Sequence, residues 1–111
     1  MTRYQRASQI WSVLINAAKD RKIYNCGEIA NILGFGGAGV MAPILGCIMW
    51  FCDENDLPAL TILVVNKETG LPGDGLTTIE DVNKDREAVF RYDWFSIEPP
   101  QNSDFENADR N

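Results

Sequence analysis

The sequence contains no histidine. That removes the commonest general base and the commonest zinc ligand together. Cysteine is scarce: Cys26, Cys47 and Cys52 are odd in number and show no metal-ligand spacing. They cannot all pair, and buried reduced thiols are the simplest reading. Nothing basic lies close to any of them in sequence to lower a thiol pKa, so a nucleophilic cysteine lacks support. No apolar run approaches the roughly 18 residues of a membrane span. The opening MTRYQRASQIW lacks the basic-then-apolar design of a signal peptide, which leads to the expectation of a mature cytoplasmic protein. No cofactor or metal is implied.

Positive charge is missing over the longest interval. Not one Lys or Arg occurs from Ile23 to Asn66, although Glu28, Asp53, Glu54 and Asp56 do. The net charge is −6; residues 1–22 carry Arg3, Arg6, Lys19, Arg21 and Lys22 against Asp20, for +4, which leaves −10 on the remainder. Such a body repels phosphate backbones and attracts basic partners at long range.

What is present suits an ordinary globular chain. Its 111 residues, 45% hydrophobic and 23% charged, are enough for one domain with a modest core. Ser8 to Lys19 reads as a first helix, with Ser8 as cap and Ile10, Val13, Leu14 and Ala17 as its apolar stripe. Trp11 is expected at the edge of that stripe. A short helix should span Gly27 to Leu33, capped near Asn25, with Ile29, Ile32 and Leu33 inward and Gly34 as its stop. The glycine-rich GFGGAG of residues 34–39 follows a helix rather than a strand and has no Lys after it, so a nucleotide-binding loop is not indicated.

A central helix should cover residues 42–55, with Pro43 in its first turn and Met41, Leu45, Ile48, Met49 and Cys52 along one face. Its C-terminal end is acidic, which the helix dipole disfavours. LTILVV at 60–65 is the strongest strand signal, a core strand followed by a turn and a short wing to residue 76. Thr77 with Glu80 matches a capping box for a short helical piece, and a further helix should run from Lys84 to Tyr92. Trp94, Phe95 and Ile97 suggest a last extended segment packed on the sheet. Residues 1–97 would thus form one globular domain, mainly α with a small β component. Residues 98–111, EPPQNSDFENADRN, read as a disordered acidic tail.

The segments SQIWSVL (8–14), GEIANILG (27–34), APILG (42–46) and LVVN (63–66) resemble the DNA-binding domain of the alkylguanine-DNA alkyltransferases and their non-enzymatic alkyltransferase-like relatives. The resemblance spans about Ser8 to Leu76 and implies a winged helix-turn-helix scaffold. The family's working parts do not carry over. Its Pro-Cys-His-Arg-Val run aligns with LTILVVN, so Thr61, Ile62 and Leu63 stand where the accepting cysteine, the histidine and the arginine would be. Thr61 does not match the Trp of the alkyltransferase-like proteins either. The arginine that enters the base stack falls at Pro43, and the nucleotide-rotating tyrosine at Cys26, with Tyr24 nearby. Alkyl transfer needs an activated thiolate, and base flipping needs an inserted side chain and cations on the backbone. The resemblance therefore implies a scaffold without alkyl-transfer chemistry.

The residues accordingly point away from an enzyme and toward an acidic protein-binding module. Its size and charge suit an inhibitor, immunity protein or antitoxin that neutralises a basic nuclease or other nucleic-acid-binding partner. The candidate contact residues are Asp53, Glu54 and Asp56, then Asp74, Glu80 and Asp81, with Trp50 and Trp94 as possible anchors. The alternative is a divergent alkyltransferase-like winged-helix protein that binds DNA through Arg3, Arg6, Lys19, Arg21 and Lys22. A carboxylate enzyme pairing Asp74 with Glu80 or Asp81 has no surrounding motif in its favour.

Overall fold

The computed structural model describes residues 2–34, 41–72, 76 and 79–110. Its elements are α1 (Arg3–Lys19), β1 (Tyr24–Asn25), α2 (Cys26–Leu33), α3 (Met41–Glu54), a 3-10 turn (Leu60–Leu63), β2 (Val64–Val65), α4 (Val82–Arg91) and α5 (Asn102–Ala108). The chain is mainly helical with a small two-stranded sheet. No described helix is long and apolar enough to cross a membrane.

Helix α1 is capped by Thr2, six residues before the expected Ser8. Thr2 accepts from the Gln5 amide at 3.2 Å while the Gln5 side chain accepts from the Thr2 amide at 2.8 Å, a capping box the sequence reading passed over. Ala7, Ile10, Leu14, Ala17 and Ala18 are buried, as is Trp11. Trp11 is no edge residue: its ring meets Phe51 at 5.7 Å, Trp94 at 5.6 Å and Phe105 at 6.1 Å between centroids. A large ring on a helix that is covered on several sides becomes the centre of the core, because edge-to-face aromatic contacts add to its burial.

Helix α2 is capped as expected. Asn25 accepts from the Glu28 amide at 2.8 Å, the Glu28 carboxylate accepts from the Asn25 amide at 3.0 Å, and Gly34 closes the helix at φ 74°. Ile29 is buried, but Ile32, expected inward, is 53% exposed, because the eight-residue helix turns only a narrow stripe to the core. Residues 35–40 of the glycine turn lie outside the described residues. Helix α3 buries Met41, Ile44, Cys47, Ile48, Met49 and Cys52. Its end reverses through Asp56 at φ 55°, with the Leu57 amide donating to the Cys52 carbonyl at 2.9 Å, a Schellman-type stop in which Asp replaces the usual glycine.

The expected core strand at 60–65 is a strand only at its last two residues. Val64 and Val65 pair in parallel with Tyr24 and Asn25, while Leu60–Leu63 is a 3-10 turn buried at every position. A continuous apolar run cannot distinguish a buried strand from a buried turn. Here no longer partner strand exists among the described residues, and a turn supplies its own backbone bonds, such as Ile62 amide to Ala59 carbonyl at 2.9 Å. The described residues of the expected wing form a tight turn over Asn66–Gly70 and a bridge from Val65 to Pro72; residues 73–75 and 77–78, including Asp74 and the Thr77 cap, lie outside the described residues.

Helix α4 opens at Val82, not Lys84, because Asp81 caps it by accepting from the Lys84 amide at 3.0 Å. The expected extended segment at 94–97 is a run of turns and bends. Its Trp94 is buried and donates from Nε1 to the Val89 carbonyl at 2.8 Å, whereas Phe95 is 54% exposed. The largest departure is at residues 98–111. Asn102–Ala108 is a helix, and Phe105 and Ala108 are core residues. The polar composition concealed one large apolar anchor, and helix α5 packs against both α1 and α3.

Candidate functional site

The site is built on the last turns of α3. Residues 50, 53 and 54 stand at i, i+3 and i+4 and share one helix face. Cys47, Ile48 and Cys52 take the core side, which leaves Trp50 half-buried and Asp53 and Glu54 exposed. Into this face projects Arg110, just past the end of α5. Its guanidinium carbon lies 3.9 Å from the centre of the Trp50 ring. Its Nη2 is 3.5 Å from Asp53 Oδ2 and 3.9 Å from Glu54 Oε1. A cation here also offsets the unfavourable placement of two acids at a helix C-terminus.

Arg110 is positioned from behind by its neighbours. Phe105 packs on Phe51 at 5.5 Å and fixes α5 against the core. Ser8 Oγ donates to Asn102 Oδ1 at 2.6 Å. The Asp109 side chain, 3% exposed, accepts from Tyr4 Oη at 2.9 Å and pairs with Arg3 at 3.4 Å. The bond to Asp109, then burial, raises the Tyr4 pKa above its ordinary value. Residues 102–110 are thus fastened to α1 on one side and present Arg110 to α3 on the other.

Of the residues singled out in the sequence, the structure brings Trp50, Asp53 and Glu54 together. Asp56 is exposed and serves as the left-handed stop of α3. Asp81 is engaged as the α4 cap, and Glu80 is exposed beside it. The two acidic groups are linked through Asp85, which the sequence reading did not select. Asp85 Oδ2 accepts from the Glu80 and Asp81 amides at 2.9 and 3.3 Å. Asp85 and Asp53 both line one pocket of about 170 Å³ with Cys52, Leu57, Pro58, Ala59 and Ala88. Trp94, the other suggested anchor, is buried. Arg110 was missed because it lay in a stretch read as disordered.

The basic residues of the first 22 positions are dispersed. Helix α1 is 17 residues long, which at 1.5 Å per residue puts roughly 25 Å between its ends. Arg3 pairs with Asp109, and Arg6 donates to Gln9 and to the Leu33 carbonyl at 3.0 and 3.2 Å. At the other end Arg21 grips Glu87 with two bonds of 3.0 and 2.9 Å. Lys19 lies over Phe95 and Arg21 over Phe90, each at 5.5 Å.

At the positions aligned with the alkyl-transfer run, Thr61, Ile62 and Leu63 are all buried, and the Thr61 hydroxyl has no hydrogen-bond partner among the described residues. Pro43 is exposed and Cys26 half-buried. Burial pushes the Cys47 thiol up to about 11 and the Cys52 thiol to about 12, and it raises Cys26 as well. Thiols so shifted are protonated at neutral pH and poor nucleophiles. No family model matches the chain, and no curated protein or solved structure matches it either.

Proposed function

We propose that this chain is a non-enzymatic acidic protein-binding module of the inhibitor, immunity or antitoxin kind, which neutralises a basic nuclease or another nucleic-acid-binding protein. The observation that carries this reading is the guanidinium of Arg110 resting on Trp50 between Asp53 and Glu54. The face holds the chemical group that a basic partner would present. An acidic surface steers such an encounter, and an aromatic at its centre gives it a place to seat. The pocket between Asp53 and Asp85 extends the acidic surface toward Glu80 and Asp81.

The test is affinity capture from the native organism with the wild-type chain and with Asp53→Lys/Glu54→Lys/Asp56→Lys side by side. A basic protein retained by the first and lost from the second is the expected result. Charge reversal should slow association more than it speeds dissociation. Recovering no protein, where a control binder is recovered, would count decisively against the reading.

A second reading keeps the alkyltransferase-like winged-helix scaffold and binds DNA through the basic N-terminal region. The order of helix, short strand, two helices and a strand parallel to the first supports that scaffold. Against DNA binding stand the ion pairs that occupy Arg3 and Arg21. Duplex binding measured at low salt, where phosphate contacts are strongest, decides it: no binding there ends this alternative.

A further inference from the structure

We propose, resting on the partner-binding reading above, that the Trp50–Asp53–Glu54 face is an arginine-selective docking site and that Arg110 is its internal placeholder, displaced when an arginine of the partner enters. The three groups suit a guanidinium better than an ammonium. A planar cation can lie on the Trp50 ring and still direct edge N–H groups to two carboxylates, which a tetrahedral Lys head cannot do equally well. The occupant is seated loosely. Its 3.5 and 3.9 Å separations exceed those of a tight charge-assisted bond, and its side chain remains 48% exposed.

Release requires little else to move. The backbone beside Arg110 is held by Asp109 through Tyr4 and Arg3, and α5 is held by Phe105. The Arg110 side chain can therefore swing out while its helix stays docked. Tethered at high effective concentration, it excludes weak, isolated arginines. A partner that supplies several contacts at once can still displace it. The arrangement raises the threshold for binding and leaves the surface chemistry unchanged.

The test uses NMR titration with an acetylated, amidated Gly-Arg-Gly peptide and its Gly-Lys-Gly counterpart. The resonances followed are the Trp50 indole N–H and the Asp53 and Glu54 amides. Arg110→Ala should bind the arginine peptide at this face about tenfold more tightly than wild type, the size expected for one exposed ion pair plus one exposed cation–π contact. The lysine peptide should gain less. Adding Asp53→Asn/Glu54→Gln to Arg110→Ala should abolish the gain. Equal arginine affinity in wild type and Arg110→Ala overturns the placeholder, and an equal gain for both peptides overturns the selectivity. These results separate from the partner reading. A captured basic protein lost on charge reversal, with no peptide gain in Arg110→Ala, leaves the partner and removes the placeholder. A peptide gain with no captured protein does the reverse.

Discussion

Helices α4 and α5 flank the same tryptophan by different means. Trp94, just after α4, and Phe105, within α5, both pack on Trp11, at 5.6 and 6.1 Å. Each helix also carries an ion cluster on its outer side. At α4 one acid, Glu87, sits between two cations, Arg21 and Arg91. Beyond α5 one cation, Arg110, sits between two acids, Asp53 and Glu54. The first cluster uses short bonds of 2.9 Å and ties α4 to the end of α1; the second is looser, at 3.5 and 3.9 Å, and its cation lies closer to an aromatic ring, 3.9 Å from Trp50 against 5.5 Å for Arg21 over Phe90. Packing next to Trp11 holds both helices. The tight cluster reads as structural fastening, and the loose one as a place where another arginine can compete.

The comparison breaks most sharply at Phe105. If α5 is docked as firmly as α4, Phe105→Ala should destabilise the chain by about 3–5 kcal/mol in urea unfolding, the usual cost of emptying a buried aromatic site. Arg110→Ala, two residues beyond the same helix, should cost no more than about 1.5 kcal/mol, the ion pair and the contact with Trp50 together. A negligible effect of Phe105→Ala would mean that residues 102–110 contribute nothing to the core.

The two helices also differ in how far the sequence disclosed them. For α4, Val89 and Phe90 marked a helix from Lys84 to Tyr92, and its start lies two residues earlier, at Val82, because Asp81 caps it. For α5, a composition argument overlooked that a single Phe can hold seven residues when a waiting aromatic cluster receives it. The seventh residue, Ala108, fits because it is small. Helix α3 was legible from its apolar face, since that periodicity is local. The 3-10 turn was not, because its shape depends on what surrounds it and not on its own pattern. Of the candidate site, Trp50, Asp53 and Glu54 were visible as an acidic helix end. Arg110 and Asp85 were not, since only tertiary contact brings them there.

A smaller effect tests how α4 ends. Val89 is near the end of the helix, where carbonyls lack intrahelical partners, and the Trp94 indole supplies one at 2.8 Å in a buried setting. Trp94→Phe keeps an aromatic beside Trp11 but leaves that carbonyl without its indole donor. The expected loss is about 1–3 kcal/mol, again by urea unfolding, and amide exchange should quicken in the last turn of α4 and stay unchanged in α5. Smaller still is Thr61→Val in the 3-10 turn on which α4 packs. Its hydroxyl is buried and unpaired among the described residues, so replacing it with a methyl group should be neutral or stabilising by up to about 1 kcal/mol. A clear destabilisation would mean that the hydroxyl has a partner in solution.

The finest distinction between the clusters is in pH. The bonds from Arg21 and then Arg91 hold the Glu87 carboxyl at about 2, against an ordinary 4.5. A carboxyl depressed on folding contributes stability that is fully present above its unfolded value and is lost as pH falls through its folded value. The Glu87 contribution should therefore persist at neutral pH and fade between about 4.5 and 2. Glu87→Gln removes it at every pH, so the stability difference between wild type and variant should be constant above pH 5 and shrink toward zero at pH 2. Other acids titrate over the same range, but they do so in both proteins and cancel in the difference. The exposed position of Glu87 makes the whole difference smaller in high salt. A difference that stays flat through the acid range would show that the two arginines do not hold Glu87 in solution, and the fastening ascribed to α4 would then be no firmer than that of Arg110.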